Sequence, residues 1–439
     1  MKRFLYIIIL LTLTFTVAAR TFYVAVDGND ENPGTKEQPF AGIMRAQEAV
    51  LPGDTVFVRG GKYVMNENQI ARVQRIWAFV HDLRKSGEPD KRIHYFAYPG
   101  EKPVFDFSNV KPVNKRIIAF NVTGSWIHFR GLSVTGVQVT ILTHTQSECF
   151  HNEGSHNIYE QLSMFDGQAI GFYLNKGSHN LVLNCDAWNN ADYTSEGGRG
   201  GNVDGFGFHG GPGDVGNVIR GCRAWFNSDD GYDLIRSAET VVIENCWAFY
   251  NGYSTDFESL GDGNGFKAGG WGLKKDQRVP DSIKGHVIRF CVAVGNKANG
   301  FYSNHHPAGN VWINNTAYRN GTNFNMLNRN ADFTASVSGF GHKLINNLSL
   351  KARTYDTQYI DPKQNELITN GFAENMKVGE KDFKSIDESL LVAAREPDGS
   401  LPQNDFLRLK KRSKLINKGT EAGFPYKGKA PDLGAFEER

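Results

Sequence analysis

Short alternations of apolar and polar residues recur through the middle of the chain. Residues 219–225 and 243–249, for example, alternate apolar and polar side chains and are soon followed by Asn or Asp. A period of two residues closed by turn-forming residues is typical of a strand and not of a helix. Aligned at one position of the motif, eight copies fall at residues 131, 161, 185, 222, 246, 291, 315 and 347, and three of the steps between them are 24 residues.

Repeats of this size are too small to bury a face alone, so they stack on one another into a solenoid. We therefore expect an all-β chain in the form of a parallel β-helix, with one repeat per coil. Four of the five cysteines share one position of the motif: Cys185, Cys222, Cys246 and Cys291. Because stacked side chains point the same way, this pattern predicts a ladder of buried thiols and not disulfides. The sequence has no Cys-x-x-Cys pair, which argues against a metal site at the thiols.

A second series places a glycine before an aromatic residue once per coil, beginning at residues 171, 205, 231, 265 and 300. We expect the aromatic side chain to fill the interior, so the residue after it must point outward, since side chains alternate along a strand. The outward positions on consecutive coils are then Tyr173, Gly207, Asp233, Lys267 and Tyr302.

The two ends of the chain depart from the repeat. Residues 43–50 form an amphipathic stretch, which we interpret as a helix capping the open end of the solenoid. The repeats are clearest between residues 125 and 350. Residues 351–439 lose the repeat and predict an extended tail packed along the solenoid. No linker is evident, so residues 20–439 are interpreted as a single domain.

Residues 1–19 resemble an export signal. Lys2 and Arg3 precede an apolar run, and Ala18 and Ala19 offer a cleavage site. The apolar run is too short for a membrane span, and no lipoprotein cysteine follows it. We therefore expect a secreted or periplasmic protein. Without this segment the chain has 47 basic and 47 acidic residues, a balance that argues against a nucleic-acid partner.

Four aspartates converge on two adjacent coils in this alignment: Asp204, Asp229, Asp230 and Asp233. Carboxylates this close repel one another and require a counter-charge that one lysine cannot supply. A hard divalent cation with oxygen ligands can supply it, and Ca²⁺ tolerates the irregular geometry of such a surface. The alternative is that the aspartates serve only as turn residues at coil corners. Their matched register favours a calcium site.

Lys267 lies on the next coil, within residues 264–270, where small neighbours leave room for a large ligand. A nearby cation and partial burial lower the pKa of a lysine, whereas Asp233 raises it. If the effect of the cation prevails, Lys267 becomes a usable base near neutral or alkaline pH. The alternative is an ordinary solvated lysine.

These segments resemble those of the family 9 polysaccharide lyases, the pectate lyase L type. The family holds calcium with an aspartate of an Asp-Gly-Phe segment and three of an Asp-Asp-Gly-x-Asp segment, which map onto Asp204 and onto Asp229, Asp230 and Asp233. Its catalytic lysine, in a Gly-Phe-Lys segment, maps onto Lys267. The resemblance implies a right-handed parallel β-helix of about ten coils and β-elimination of an acidic plant cell-wall polysaccharide.

Outward residues near this group are candidates for contact with sugar rings or carboxylates: Arg199, His209, Arg236, Trp271, Tyr302, Asn304 and His305. The substrate stays open between polygalacturonate and the rhamnogalacturonan I backbone. Two rival functions also stay open. One is an inverting galacturonan hydrolase, which shares the fold and uses paired aspartates, although its Gly-His-Gly and Arg-Ile-Lys segments are absent. The other is a non-catalytic glycan-binding β-helix. A monomer is expected.

Overall fold

The computed structural model describes residues 18–143, 146–272, 278–372 and 376–438, and strands dominate them. The first 17 residues of the expected export signal lie outside these ranges. The described helices are one α-helix, α1 at Ile43–Ala49, and three short 3₁₀ helices at Glu67–Gln69, Glu380–Asp382 and Glu388–Val392. Helix α1 buries Ile43, Ala46 and Gln47 against the first coils, so the predicted capping helix is confirmed.

Three long sheets run along the solenoid, and most coils contribute one strand to each sheet. Sheet 1 has 12 strands, in spatial order Thr21–Val24, Thr55–Val58, Ile93–Ala97, Ile127–Arg130, Ile158–Glu160, Leu181–Leu183, Asn217–Arg220, Val241–Glu244, Val287–Arg289, Val311–Ile313, Lys343–Ile345 and Glu366–Ile368. Sheet 2 has 10 strands, Gly61–Asn66, Pro103–Asn109, Ser133–Thr135, Ser163–Phe165, Asp186–Trp188, Arg223–Trp225, Trp247–Phe249, Val292–Val294, Thr316–Tyr318 and Leu348–Leu350.

Sheet 3 carries the residues singled out by the sequence. Its 11 strands are Arg72–Gln74, Trp77–Leu83, Arg116–Val122, Ser147–Asn152, Ala169–Leu174, Phe206–Phe208, Tyr232–Asp233, Phe266–Lys267, Asn299–Tyr302, Thr322–Asn325 and Tyr355–Gln358. All its pairs are parallel except the first, between Arg72–Gln74 and Trp77–Leu83. A separate antiparallel hairpin joins Leu327–Arg329 to Ser336–Ser338. The parallel β-helix expected from the repeat is confirmed.

The alignment of the early repeats was wrong by one residue. The structure pairs Ser163 with Asp186, so Leu162, and not residue 161, stacks on Cys185. The backbone N–H of Leu162 accordingly lies 3.4 Å from Cys185 Sγ. Gln161 is instead the coil-corner residue with positive φ, the place that Asn184 and Gly221 occupy on the next two coils.

The interior is filled by stacked rings. Phe206, Tyr232, Phe266 and Phe301 are fully buried, and their successive ring centroids lie 5.1, 4.7 and 5.0 Å apart. This is the glycine–aromatic series of the sequence, and its predicted inward direction is confirmed. The glycine before each ring lets the chain pack closely, because a Cβ on Gly231 would lie 2.8 Å from the carbonyl oxygen of Gly265.

The turns between sheets are held by ladders of side-chain hydrogen bonds. All five cysteines are buried and free, and the backbone N–H groups of Cys185 and Cys222 lie 3.3 and 3.4 Å from the Sγ atoms of Cys222 and Cys246. The thiol ladder is therefore confirmed. From Cys291 onward the same position is taken by asparagine, since the Cys291 N–H donates to Asn315 Oδ1 at 3.0 Å.

The extended tail packs on the outer face of sheet 2. Its Phe406 and Leu433 join a buried cluster with Trp247 of that sheet. Arg395 binds Asp186 at 2.6 Å. The tail thus covers sheet 2, whereas the strands of Asp233 and Lys267 belong to sheet 3.

Candidate functional site

One row of side chains on the outer face of sheet 3, called here the outer row, carries the predicted chemistry. In the strand pairing, Asp233 lies beside Gly207 on one side and beside Lys267 on the other. Tyr302 follows Lys267, and Tyr173 precedes Gly207. Neighbouring strands are about 4.8 Å apart. The register predicted from the sequence is thus confirmed, and it brings an amine to a carboxylate on the adjacent coil.

Lys267 points into a group of three carboxylates. Its Nζ lies 2.8 Å from Asp230 Oδ2 and 3.2 Å from Asp233 Oδ2. Carboxylate oxygens of Asp204, Asp230 and Asp233 all lie within 4.8 Å of one another. All four side chains are buried from solvent, with Lys267 itself 8% exposed. Lys267 is therefore not an ordinary solvated lysine.

Backbone and amide donors fix the three carboxylates. Asp204 Oδ1 accepts the N–H of Asp230 at 3.1 Å, and Asp233 Oδ1 accepts the N–H of Ile235 at 2.8 Å. Asp230 Oδ1 accepts both the N–H of Asn264, at 2.7 Å, and its Nδ2, at 2.8 Å. Each carboxylate thus has one oxygen engaged by a neighbouring coil or turn, which sets the direction of the other.

Asp229 is held differently from the other three aspartates. Its two carboxylate oxygens accept the backbone N–H groups of Asn202, at 2.9 Å, and Asp262, at 2.6 Å. These donors belong to the two insertion loops that interrupt the 24-residue repeat. Lys297 fastens the second loop, since its Nζ donates to the Leu260 carbonyl at 2.7 Å. Asp229 lies outside the group of three carboxylates found within 4.8 Å, and its role as a metal ligand stays a prediction.

The loop anchor Lys297 was missed at the sequence level. It lies between strands, and nothing in its spacing relates it to Asp229. The fold of the insertion, which returns to the coil beside Lys297, is what links Lys297 to Asp229.

The charges of the site act strongly on one another. Burial alone would lower the pKa of Lys267, but the surrounding carboxylates, Asp230 first, raise it well above 10.5. Burial and the charge of Asp233 raise the pKa of Asp204 well above 3.8. Burial also raises the pKa of Asp229 to about 7 and that of Asp233 to about 6, although Lys267 opposes both shifts. Without a further cation, the amine keeps its proton and the carboxylates repel one another.

His209 borders the group on the side of the earlier coils. Its Nδ1 is 3.1 Å from the Tyr173 hydroxyl, and its Nε2 is 3.9 Å from Asp233 Oδ2. Burial, with the charge of Lys267 beside it, lowers the pKa of His209 to about 3. The ring is therefore neutral at physiological pH and adds a polar edge, not a charge, to the site.

The other predicted contact residues differ in their exposure. Arg199 and Arg236 are exposed, and Tyr302 is half-buried. Trp271 is buried and donates its Nε1–H to the Ser237 carbonyl at 3.0 Å, a packing arrangement that the sequence did not indicate. The remaining two, Asn304 and His305, are buried just beyond the outer row, and their Nδ2 and Nε2 atoms have no hydrogen-bond partner among the described residues.

The residues present fit a hard divalent cation. The donor set consists of carboxylate oxygens, the ligands that Ca²⁺ prefers. Asp230 Oδ2 is buried and accepts no hydrogen bond of acceptable geometry from the described part of the chain, although Lys267 Nζ is 2.8 Å away. Three buried carboxylates against the single ammonium of Lys267 leave negative charge that a divalent cation would offset.

Known proteins match both the sequence and the fold. A family model described as Pel9A-like, right handed beta helix region matches residues 22–347. Pectate lyase L of Dickeya dadantii (strain 3937) is 37% identical over 428 residues, covering 95% of this chain and 90% of that protein. A solved rhamnogalacturonan lyase is 44% identical with a TM-score of 0.87, over 90% of this chain and 97% of its own. The crystal structure of pectate lyase Pel9A is 34% identical with a TM-score of 0.78, over 97% of this chain and 98% of its own. This chain therefore belongs to the Pel9A-like right-handed β-helix family, polysaccharide lyase family 9.

Proposed function

We propose that the chain is an exported, calcium-dependent lyase that cleaves a galacturonate-containing pectic backbone by β-elimination, with Lys267 as the base. The observation that carries the proposal is the position of Lys267 Nζ, 2.8 Å from Asp230 and 3.2 Å from Asp233 on the outer face of sheet 3. The names of the relatives, pectate lyase and rhamnogalacturonan lyase, support the substrate class.

In this reaction Lys267 Nζ removes the proton on C5 of a galacturonate. The electron pair left on C5 forms the C4–C5 double bond as the bond between C4 and the O4 leaving group breaks. Water supplies the proton for the leaving oxygen. The row of outward side chains orients the sugar, because Tyr302 lies on the coil after Lys267 and His209 borders the coils before it.

Asp204, Asp230 and Asp233 would hold the calcium ion, with Asp229 as a further candidate ligand from the adjoining turn. When bound, the cation would offset the carboxylate charge that raises the pKa of Lys267 and would polarise the carboxylate of the sugar. The hydrogen bonds to Asp204 Oδ1, Asp230 Oδ1 and Asp233 Oδ1 keep the three acids directed at one point. Lys267 Nζ contacts two of these carboxylates, so the base and the metal ligands share one centre.

The geometry supports a lyase over the rival inverting hydrolase. An inverting glycosidase needs two carboxyl groups about 6.5–9.5 Å apart, with a water molecule between one of them and the sugar. The oxygens of Asp204, Asp230 and Asp233 lie within 4.8 Å of one another. A buried lysine in the middle of the acids also has no role in that hydrolysis.

Export follows from the apolar run of residues 4–17 and the small residues Ala18 and Ala19. Among the residues that the structure describes, no helix is long and apolar enough to cross a membrane. A fusion of residues 1–25 to a reporter enzyme, expressed in a bacterium, would test export. Accumulation of the reporter only in the cytoplasm would contradict this part of the proposal.

The activity is tested by digesting polygalacturonate and the rhamnogalacturonan I backbone with and without a calcium chelator. We expect products that absorb in the ultraviolet through their new double bond, and loss of this absorbance after calcium removal. The polymer that is cleaved faster identifies the substrate. Saturated products would indicate a hydrolase, an intact polymer would indicate a glycan-binding protein, and full activity after thorough chelation would contradict the calcium mechanism.

A further inference from the structure

The outer face of sheet 3 also contains a cavity, on coils that precede the site just described. It encloses about 310 Å³ and is lined by the strands of the early coils. Trp77, Arg116, Glu148, His151 and Tyr173 are among its lining residues. Of these, only Tyr173 contacts the lysine–aspartate site, through His209. The cavity therefore needs an explanation of its own.

The cavity and the site lie on the same outer face of sheet 3, and consecutive strand pairs connect them. His151 pairs with Tyr173, and Tyr173 pairs with Gly207 of the outer row, which in turn pairs with Asp233. The strand that begins at Arg116 lies one coil before that of His151. Five coils thus separate the strands of Arg116 and Lys267, a distance of roughly 24 Å along the solenoid axis. A ligand that reaches both places must be an extended chain several sugars long.

Most charges in the cavity neutralise one another. Arg72 binds Asp82 at 2.8 Å. His151 is sandwiched between Glu148, which contacts its Nδ1, and Glu153, 3.4 Å from its Nε2. Burial would lower the pKa of His151, but the two glutamates, Glu148 first, raise it to about 9, so the ring carries one positive charge against their two negative charges.

Arg116 is the exception. Among the described residues no carboxylate lies within ion-pair distance of its guanidinium, and its Nε is buried without a hydrogen-bond partner. Glu148, whose charge acts on Arg116, is engaged by His151. A half-buried arginine whose Nε has no hydrogen-bond partner and whose charge has no ion pair costs free energy. Binding of an anion offsets this cost. The planar, forked guanidinium matches the two oxygens of a carboxylate in particular.

Trp77 lies beside Arg116 on the neighbouring strand. The two residues are direct cross-strand partners, and the guanidinium carbon is 5.7 Å from the centre of the indole ring. Trp77 is half-buried, so part of its ring faces the cavity. A flat, rigid aromatic face next to a charged fork provides an apolar platform for a sugar ring and a donor pair for its carboxylate.

We propose that Arg116 and Trp77 form a distal subsite that binds one uronate residue of the same acidic chain that is cleaved at Lys267. The proposal rests on the function proposed above and adds a second point of attachment five coils from the base. Arg116 binds the carboxylate, and Trp77 supports the ring. The subsite makes the protein prefer long chains and anchors the polymer through cleavage.

The test compares two substrates of Arg116→Ala, a long polygalacturonate and a tetragalacturonate with saturated ends. For the polymer we expect KM to rise about tenfold or more with kcat unchanged, the effect of losing one charged hydrogen bond. For the tetramer, which cannot span both places, we expect no change. Arg116→Lys should recover part of the loss. Fully methyl-esterified decamers, which lack the carboxylate, should bind the wild type and Arg116→Ala equally.

Arg130→Ala is the matched control. Arg130 is also half-buried, and its guanidinium carbon lies 4.0 Å from the centre of the Phe96 ring, but it lies on sheet 1, away from the cavity. This variant should keep the wild-type KM for the polymer. Thermal unfolding of each variant checks that it is folded. Equal losses on tetramer and polymer, or no loss on either, would overturn the subsite.

A binding measurement separates this inference from the proposed function. Calorimetric titration of Lys267→Ala with a decagalacturonate should give a Kd that rises about tenfold when Arg116→Ala is added. This result would support the subsite even if the wild type cleaved no polymer. An unchanged Kd would overturn it even if Lys267 proved to be the base.

Discussion

Two ladders of polar side chains run along this solenoid, and they differ in charge and in direction. The amide ladder consists of Asn190, Asn227, Asn251, Asn296 and Asn320. Each amide in it donates to the Oδ1 of the next coil, at 2.8–3.1 Å. The acidic ladder consists of Asp204, Asp230, Asn264, Asn299 and Asn325. There the donors point toward earlier coils, from Asn325 to Asn299, to Asn264 and to Asp230.

The difference shows how one repeat supports both stability and chemistry. In the amide ladder every member both donates and accepts, so the buried polar groups are satisfied. In the acidic ladder the amides pass their N–H groups from Asn325 to Asn299 to Asn264, and the last amide donates to the carboxylate of Asp230, which can only accept. The series therefore ends in unsatisfied negative charge at Asp230 and Asp204, beside Lys267. We expect mutations in the first ladder to reduce stability and mutations at the end of the second to reduce activity.

The largest effect is expected for Lys267→Ala. Loss of a general base typically lowers kcat by a factor of about 10²–10⁴, and initial rates of double-bond formation on pectic polymer would measure it. Stability should rise or stay unchanged in the presence of calcium, because no buried amine then has to be accommodated. Lys267→Arg is the control, since it keeps the charge but cannot be deprotonated. A variant Lys267→Arg with wild-type kcat would exclude the lysine as the base.

Asp230→Asn should remove the response to calcium. The asparagine keeps an oxygen to accept from Asn264, whose Nδ2 lies 2.8 Å from Asp230 Oδ1, so the fold is retained. At a hundredfold excess of calcium over Kd, binding stabilises the wild type by about 2.7 kcal/mol. Thermal unfolding with and without calcium should show this stabilisation in the wild type but not in the variant. Equal stabilisation of both proteins would place the calcium ion elsewhere.

Asn251→Ala should reduce stability and leave the chemistry intact. Asn251 Nδ2 donates to the Ala224 carbonyl and to Asn296 Oδ1, and its Oδ1 accepts from the N–H and the Nδ2 of Asn227. Loss of these buried bonds should lower the free energy of unfolding by about 3 kcal/mol, measured by urea denaturation. The exposed Asn109 offers the control, because Asn109→Ala should change the free energy of unfolding by less than about 0.5 kcal/mol. A large fall in kcat of the folded Asn251→Ala variant would instead make the amide ladder part of the site.

The smallest effect is expected in the thiol ladder. Cys246→Ala removes one buried sulfur that accepts from the Cys222 N–H at 3.4 Å, and should cost about 1 kcal/mol. Reducing agents should leave the unfolding temperature unchanged, because the five cysteines are free. A loss of 2–5 kcal/mol on reduction would instead reveal a disulfide.

The sequence was sufficient to predict the parts of the molecule that repeat. The glycine–aromatic series predicted that Asp233 and Lys267 lie on adjacent coils, and they pair directly. The cysteine spacing predicted free, stacked thiols. In both cases one residue per coil occupies an equivalent place, so spacing along the chain translates into position along the axis.

The sequence could not predict what the insertions do. The hydrogen bonds from Asn202 and Asp262 to the Asp229 carboxylate depend on how two loops of unequal length fold back over the coil. The burial of Trp271 depends on its bond to Ser237, a contact with no periodic counterpart. These residues lie outside the repeat, so their neighbours cannot be read from spacing.

By itself the sequence determined the solenoid, the order of residues in the outer row and the gathering of aspartates beside a lysine. Only the tertiary structure decided which carboxylates share one centre, which cations are already paired and that Arg116 has no ion pair among the described residues. The physical reason is that a repeat fixes position along the axis. Pairing of charges depends instead on side-chain direction and on loops, and both are set by contacts between coils.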